Sequence, residues 1–133
     1  MQRKNFQFGT ILIKKYKINS KNILGHSDVA PERKKDPGEK FPWKKLAKAN
    51  LAKWHKLNEK KIKSFRSKKL NMIEEISLIK NIYSLGYNKI RNFDHKLNKK
   101  FLLTAFQRRF RQGLINGKSD LECLIISKNL IKY

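Results

Sequence analysis

Gly25-His26-Ser27-Asp28-Val29-Ala30-Pro31-Glu32-Arg33-Lys34-Lys35-Asp36-Pro37-Gly38-Glu39-Lys40-Phe41-Pro42-Trp43 is the stretch on which the reading of this chain turns. It gathers two candidate metal ligands, His26 and Asp36, with a cation, Lys34, between them. Pro31, Pro37, Gly38 and Pro42 interrupt any regular element from Ser27 onward. An ordered loop of this length is usually functional or wraps a core. Phe41 and Trp43 flank Pro42 and are expected to pin the loop's end against the core. Asp28 reads as an organiser of the turn through its side-chain oxygen rather than as a ligand.

Working outward, Phe8, Ile11, Leu12 and Tyr16 fall at helical spacing, with Lys14, Lys15 and Lys17 opposite. A helix is expected over Phe8–Lys17, and Asn19–Asn22 is a turn cluster. Ile23-Leu24-Gly25 reads as a short buried strand that delivers His26 at its end, where a rigid element meets open space. Downstream, Trp43, Leu46 and Ala47 mark a helix expected over Trp43–Lys53. Trp54–Leu70 is lysine-dense, weakly periodic, and reads as a solvated linker.

A second unit follows. Ile73, Ile76, Leu78, Ile79, Ile82 and Tyr83 form an apolar helical stripe, stopped by Gly86. Asp94 is a candidate cap for the next helix, in which Leu97, Phe101, Leu102, Ala105 and Phe106 share a face. Ser119-Asp120-Leu121-Glu122 has the form of a capping box. It opens a last helix with Leu121, Leu124, Ile125 and Ile131 on its apolar side. Three such helices make a small bundle. Phe106 and Phe110, four apart, are expected in its core. Cys123 is expected to be buried and inert, and His55 and His95 to lie at the surface.

Composition bounds the rest. The chain has 133 residues, 33 basic and 10 acidic, for a formal charge of +23. That charge attracts polyanions, but the lysine-, asparagine- and isoleucine-rich composition is equally what an A/T-rich coding sequence produces. One cysteine excludes an internal disulfide framework. No apolar run approaches the roughly 20 residues of a membrane-spanning helix. Phe8–Ile13 is too short and interrupted for a signal peptide.

From spacing alone, His26 and Asp36 say little. Their surroundings say more. Gly-His-Ser-Asp, Ala-Pro, Arg-Lys, Asp-Pro-Gly and Phe-Pro-Trp together resemble the second metal-binding segment of the zinc-dependent N-acetylmuramoyl-L-alanine amidases, relatives of the peptidoglycan-recognition proteins. Gly86-Tyr87, Ala105-Phe106-Gln107, Phe110-Arg111, Gly117, Asp120 and Lys132-Tyr133 resemble the helical, peptidoglycan-binding-like domain of one branch of that family. The resemblance implies that His26 and Asp36 are zinc ligands and that Lys34 stabilises the oxyanion. It implies hydrolysis of the amide between N-acetylmuramic acid and L-alanine, in peptidoglycan or a muropeptide. The architecture expected is an α/β fragment, the C-terminal part of the amidase domain (1–56), then a basic linker (57–70). A small all-α three-helix domain (71–133) completes it.

The family's first zinc histidine and glutamate base have no counterpart among the 25 residues before His26, which hold no His, Asp or Glu. The expectation is therefore an amidase with an incomplete Zn²⁺ site, inactive alone: a truncated product, a split gene product, or a fragment whose N-terminal half is separately encoded and is then a partner. The envelope is favoured over the cytoplasm. Two other readings compete: a non-catalytic peptidoglycan-binding remnant, and a basic nucleic-acid-binding protein resting on the charge and on Arg108-Arg109-Phe110-Arg111. No nucleic-acid motif is present, and nucleic acid is not the expected partner.

Overall fold

A computed structural model describes residues 41–87 and 95–132. The helix expected over Phe8–Lys17, the strand at Ile23–Gly25, the loop's ligands and the Asp94 cap lie outside the described residues. Five α-helices are described: α1 (Trp43–Lys48), α2 (Glu59–Ile62), α3 (Met72–Ser84), α4 (His95–Phe110) and α5 (Leu121–Lys132). A 3-10 helix, Lys63–Ser67, continues directly from α2. The expectation of an α/β fragment is thereby corrected: among the described residues no strand is present. A strand is stable only when a neighbour pairs with its backbone groups. The described segments instead carry buried residues three and four apart, such as Leu78 with Ile82 and Leu102 with Phe106.

α1 ends five residues before the periodicity suggests. Asn50 takes a left-handed conformation, with φ of 60°. Leu51 N–H then reaches back to the Leu46 carbonyl (2.8 Å) and Asn50 N–H to that of Ala47 (3.0 Å). This pattern closes a helix end, and asparagine is among the few residues besides glycine that adopt it readily. α3 is bounded at both ends by local chemistry. Asn71 accepts from Glu74 N–H (2.8 Å) while the Glu74 carboxylate accepts from Asn71 N–H (3.0 Å). Gly86, at φ of 104°, stops it. α5 is capped by Asp120 rather than Ser119: its Oδ1 accepts from Cys123 N–H at 2.9 Å. That shift frees Glu122 from capping and turns it inward.

The helices enclose two adjoining apolar clusters. The larger holds Leu78, Ile82, Leu102, Phe106, Cys123, Ile126 and Leu130, and it takes in Ile62 from α2. Leu57, Phe65 and Leu70 pack against it as well. The basic stretch 57–70 therefore contributes to the core despite its lysines. Ile62 and Phe65 are three apart, so one turn presents both inward. The smaller cluster holds Trp43, Leu46, Leu51 and Ala52, and Trp54 touches both. In α3 only Leu78 and Ile82 are fully enclosed, and Met72, Ile73 and Ile76 are exposed. On α5 the buried face is centred on Cys123, Ile126 and Leu130, while Ile131 points outward.

The loop from Arg111 to Asp120 is held from beneath by Gln107, which is fully buried. Its carbonyl oxygen accepts from Asn116 and Gly117 N–H, both at 2.9 Å, and its amide donates to the Lys118 carbonyl at 2.9 Å. Gly117 is required twice over. Its φ is 68°, and a Cβ there would stand 2.8 Å from Thr104 Oγ1 on α4.

Candidate functional site

Of the expected zinc segment, only the exit is described. There the aromatic pair does what its sequence suggests. The Phe41 and Trp43 rings lie 4.8 Å apart at 60°, and Trp43 is buried. The Arg109 guanidinium stacks 3.8 Å over Trp43. Gln112 donates its side-chain amide to the Phe41 carbonyl at 2.8 Å. The end of α4 therefore holds the chain just where it leaves the ligand loop.

His26, Lys34 and Asp36 all lie outside the described residues. Among the described residues no three His, Cys, Asp or Glu side chains converge as a metal site. Residues 1–25 contain none of these types. A catalytic zinc takes three protein ligands and keeps one position for water. The described residues therefore do not by themselves fit a catalytic zinc, and no hydrolytic step through a metal is derived from them.

The described residues do build one polar site. A cleft of about 380 Å³ opens between α1, the α2 region and the loop after α4, with α5 as its floor. Trp54, His55, Arg66, Phe110, Arg111 and Glu122 are among its walls. Its base is a buried ion cluster. Arg111 Nη1 pairs with Asp120 and lies 3.4 Å from Glu122 Oε1, while Arg66 Nη2 donates to Glu122 Oε2 at 3.2 Å. Arg111 is further fixed by its Nε–H donating to the Leu114 carbonyl at 2.9 Å. Two cations and two carboxylates so arranged offset the cost of burying each.

His55, expected at the surface, is 6% exposed and stacks on Trp54 with ring centroids 5.1 Å apart. Its Nδ1 accepts from Leu57 N–H at 3.3 Å, which places the proton of the neutral ring on Nε2. Burial holds its pKa below the ordinary 6.5; Glu59 opposes that shift and Lys44 adds to it. Between its two pKa values the unfolded chain binds the proton and the folded chain does not. This contribution to stability is present above pH 6.5 and is lost as pH falls through the lowered value. The urea midpoint is therefore expected to fall between pH 7.5 and pH 5, and His55→Gln to flatten that slope. An equal slope in both proteins would show that His55 is not responsible.

The sequence signals for this cleft were weak but present: the Trp54-His55 pair with Glu59 four residues on, and a glutamate, Glu122, inside an apolar helix. Conversely, two of the three arginines in the basic run that suggested nucleic acid are committed to the interior. Arg109 is 2% and Arg111 4% exposed. Cys123 is fully buried, with Gln107 Nε2 at 3.6 Å from its Sγ. Burial pushes its thiol pKa up to about 12.

No family model matches the chain. Among curated proteins, N-acetylmuramoyl-L-alanine amidase AmiD of Escherichia coli (strain K12) is 29% identical over 121 residues, covering 91% of this chain and 44% of AmiD. The 1,6-anhydro-N-acetylmuramyl-L-alanine amidase AmpD of Enterobacter cloacae is 56% identical over a shorter 35 residues, 26% of this chain and 19% of AmpD. A structure of Escherichia coli AmiD with the substrate anhydro-N-acetylmuramic acid-L-Ala-D-gamma-Glu-L-Lys superposes with a TM-score of 0.80 at 26% identity, covering 96% of this chain and 49% of AmiD. AmpDh3 of Pseudomonas aeruginosa superposes with a TM-score of 0.76 at 28% identity, over 96% of this chain and 50% of that one. The chain spans about half the length of AmiD and of AmpDh3.

Proposed function

We propose that this chain, a homologue of the N-acetylmuramoyl-L-alanine amidases, supplies the second half of such an amidase. The substrate class is peptidoglycan or its muropeptides, and the bond is the amide between N-acetylmuramic acid and L-alanine. One observation carries the reading: sequence and fold agree with AmiD together over nearly the whole chain, at 26% identity and a TM-score of 0.80. In this reading His26 and Asp36 contribute two zinc ligands. Lys34 brings positive charge to the amide carbonyl oxygen as it becomes an oxyanion, where a fixed cation lowers the barrier. Residues 1–56 belong to the amidase part and 71–133 to a helical wall-binding part, with 57–70 joining them. The chain spans 44% of AmiD's length, so in this reading it is one part of such an enzyme. Because intact peptidoglycan lies in the envelope, the envelope is the proposed compartment. No helix among the described residues is long and apolar enough to cross a membrane.

The experiment is a zinc determination on the purified chain, paired with release of peptide from anhydro-N-acetylmuramic acid-L-Ala-D-γ-Glu-L-Lys. The expected outcome is substoichiometric zinc and no release. Stoichiometric zinc with turnover that Asp36→Ala abolishes would reveal a complete centre in this chain. The short donor set also favours a second reading, a wall-binding protein without catalysis. Co-sedimentation with insoluble peptidoglycan, without released stem peptide, is its signature. Neither binding nor release would remove both wall-related readings.

A further inference from the structure

We propose that the outward face of α3 docks the protein onto an anionic lipid bilayer. The proposal is independent of the amidase reading. Met72 and Ile73 are each 79% exposed and Ile76 is 59% exposed, the most exposed large hydrophobic side chains among the described residues. At roughly 100° of turn per residue, Met72, Ile76, Lys80 and Ile73 fall within one arc of about 100°. That arc faces away from Leu78 and Ile82, which α3 buries in the core. Half-buried Tyr83 lies in the same arc. The two glutamates of α3 fall outside it, one on each side, and both are engaged. The Glu74 carboxylate accepts from Asn71 N–H at 3.0 Å, and Glu75 pairs with Lys99 at 2.7 Å. Lysine surrounds the apolar side chains instead. Lys68 and Lys69 are exposed just before α3, and Lys80 is exposed one turn beyond Ile76. The Lys99–Glu75 pair brings the start of α4 alongside, with Lys96, Leu97 and Lys100 exposed on it.

Exposed apolar side chains gathered on one face mark an interaction surface rather than ordinary scatter. Two properties of this face select what covers it: it is apolar, and it is ringed by cations. A soluble polyanion meets the lysines but leaves Met72, Ile73 and Ile76 in water. A neutral bilayer receives the side chains but offers the lysines no net charge. An anionic bilayer does both. The apolar side chains enter the boundary between headgroups and acyl chains, while the lysine stems reach back to place their ammonium groups among the phosphates. A second copy of the chain is disfavoured by the repulsion between two bodies of formal charge +23. A stable protein partner is disfavoured by size, because such interfaces bury about 800 Å² on each side and this is one face of one helix. A fluid bilayer needs no complementary shape. Among the described residues no helix is long and apolar enough to cross a membrane, so α3 lies on the surface and does not span it.

The test is co-sedimentation of the full 133-residue chain with vesicles at physiological ionic strength. One set contains phosphatidylcholine and phosphatidylglycerol in equal parts, the other phosphatidylcholine alone. Soluble polyphosphate is the comparison polyanion. Partitioning is expected to be at least about tenfold stronger into the anionic vesicles. The double substitution Ile73→Gln, Ile76→Gln keeps every charge and sits at exposed helix positions, so the fold is retained, as circular dichroism will show. It is expected to weaken vesicle binding about 30-fold, about fivefold for each partly inserted side chain, and to leave polyphosphate binding unchanged. Lys80→Gln is expected to weaken vesicle binding about fivefold. Equal partitioning of the double variant and the parent chain would reduce the attraction to bulk charge and overturns the proposal. No binding at millimolar lipid overturns it too. So does a dimer in sedimentation equilibrium that the double variant dissolves, since the face would then belong to a second copy. Vesicle binding involves neither zinc nor amide cleavage, so its failure leaves the amidase reading untouched.

Discussion

Asp120→Ala is expected to lower the free energy of unfolding by about 3–5 kcal/mol, the usual cost of removing one partner from a buried ion pair. Both side chains of the Asp120–Arg111 pair are at most 5% exposed. Without Asp120, Glu122 is the one carboxylate left beside Arg111 among the described residues, and it already serves Arg66. The same substitution deletes the cap of α5, because Asp120 Oδ1 no longer accepts from Cys123 N–H. Asp120→Asn separates the two effects. Its amide oxygen can still cap, so it should recover about 1 kcal/mol relative to alanine. Urea denaturation followed by circular dichroism measures both. A loss below about 1 kcal/mol for Asp120→Ala would mean that the ion cluster contributes little beyond the cap.

Phe106→Ala comes second, with an expected loss of about 3–5 kcal/mol from the emptied ring volume. Phe106 is fully buried on α4 and sits 5.2 Å from the Phe110 ring, which in turn lies 5.7 Å from Trp54. This aromatic chain runs from the larger cluster toward the smaller one. The variant should therefore do more than lower the denaturation midpoint. Trp54 should become more mobile and its emission should shift to the red under native conditions. Phe106→Leu, which refills most of the volume, should restore the emission and much of the stability. A destabilised Phe106→Ala with unchanged emission would show that the two clusters are mechanically separate.

What the sequence disclosed divides along physical lines. Helix existence after residue 71 was legible, because Leu78, Ile82, Leu102 and Phe106 repeat at the period of a helix. So were the roles of Gly86, Cys123, Phe106, Phe110 and the Phe41–Trp43 anchor. Which face turns inward was less legible. α3 and α5 are apolar over a wide arc, so period alone could not show that Ile73, Ile76 and Ile131 face outward. The end of α1 was missed because it depends on one asparagine taking a left-handed conformation. The cap of α5 was placed one residue early, since Ser119 and Asp120 are both good caps and only packing of Glu122 decides between them. His55 was misjudged as a surface residue. It stacks on Trp54, which packs in turn against Phe110 on a distant helix, and no local pattern contains that contact. The fold class is corrected on the described residues alone, all of whose regular elements are helical. The Gly25–Trp43 stretch stood out through residue identity, and identity does not depend on geometry.

The burial of Cys123 turns the chain's single thiol into a clock. At pH 8 a thiol with a pKa of about 12 is almost entirely protonated, and its position on the buried face of α5 shields it from reagents. The same cysteine in the unfolded chain, near its ordinary 9.0, supplies thiolate readily. Alkylation then counts openings of the helical core, one irreversible mark per molecule. Its rate against reagent concentration yields either the open population or the opening rate. The molecule thus reports how often its own interior is exposed, without a label being introduced.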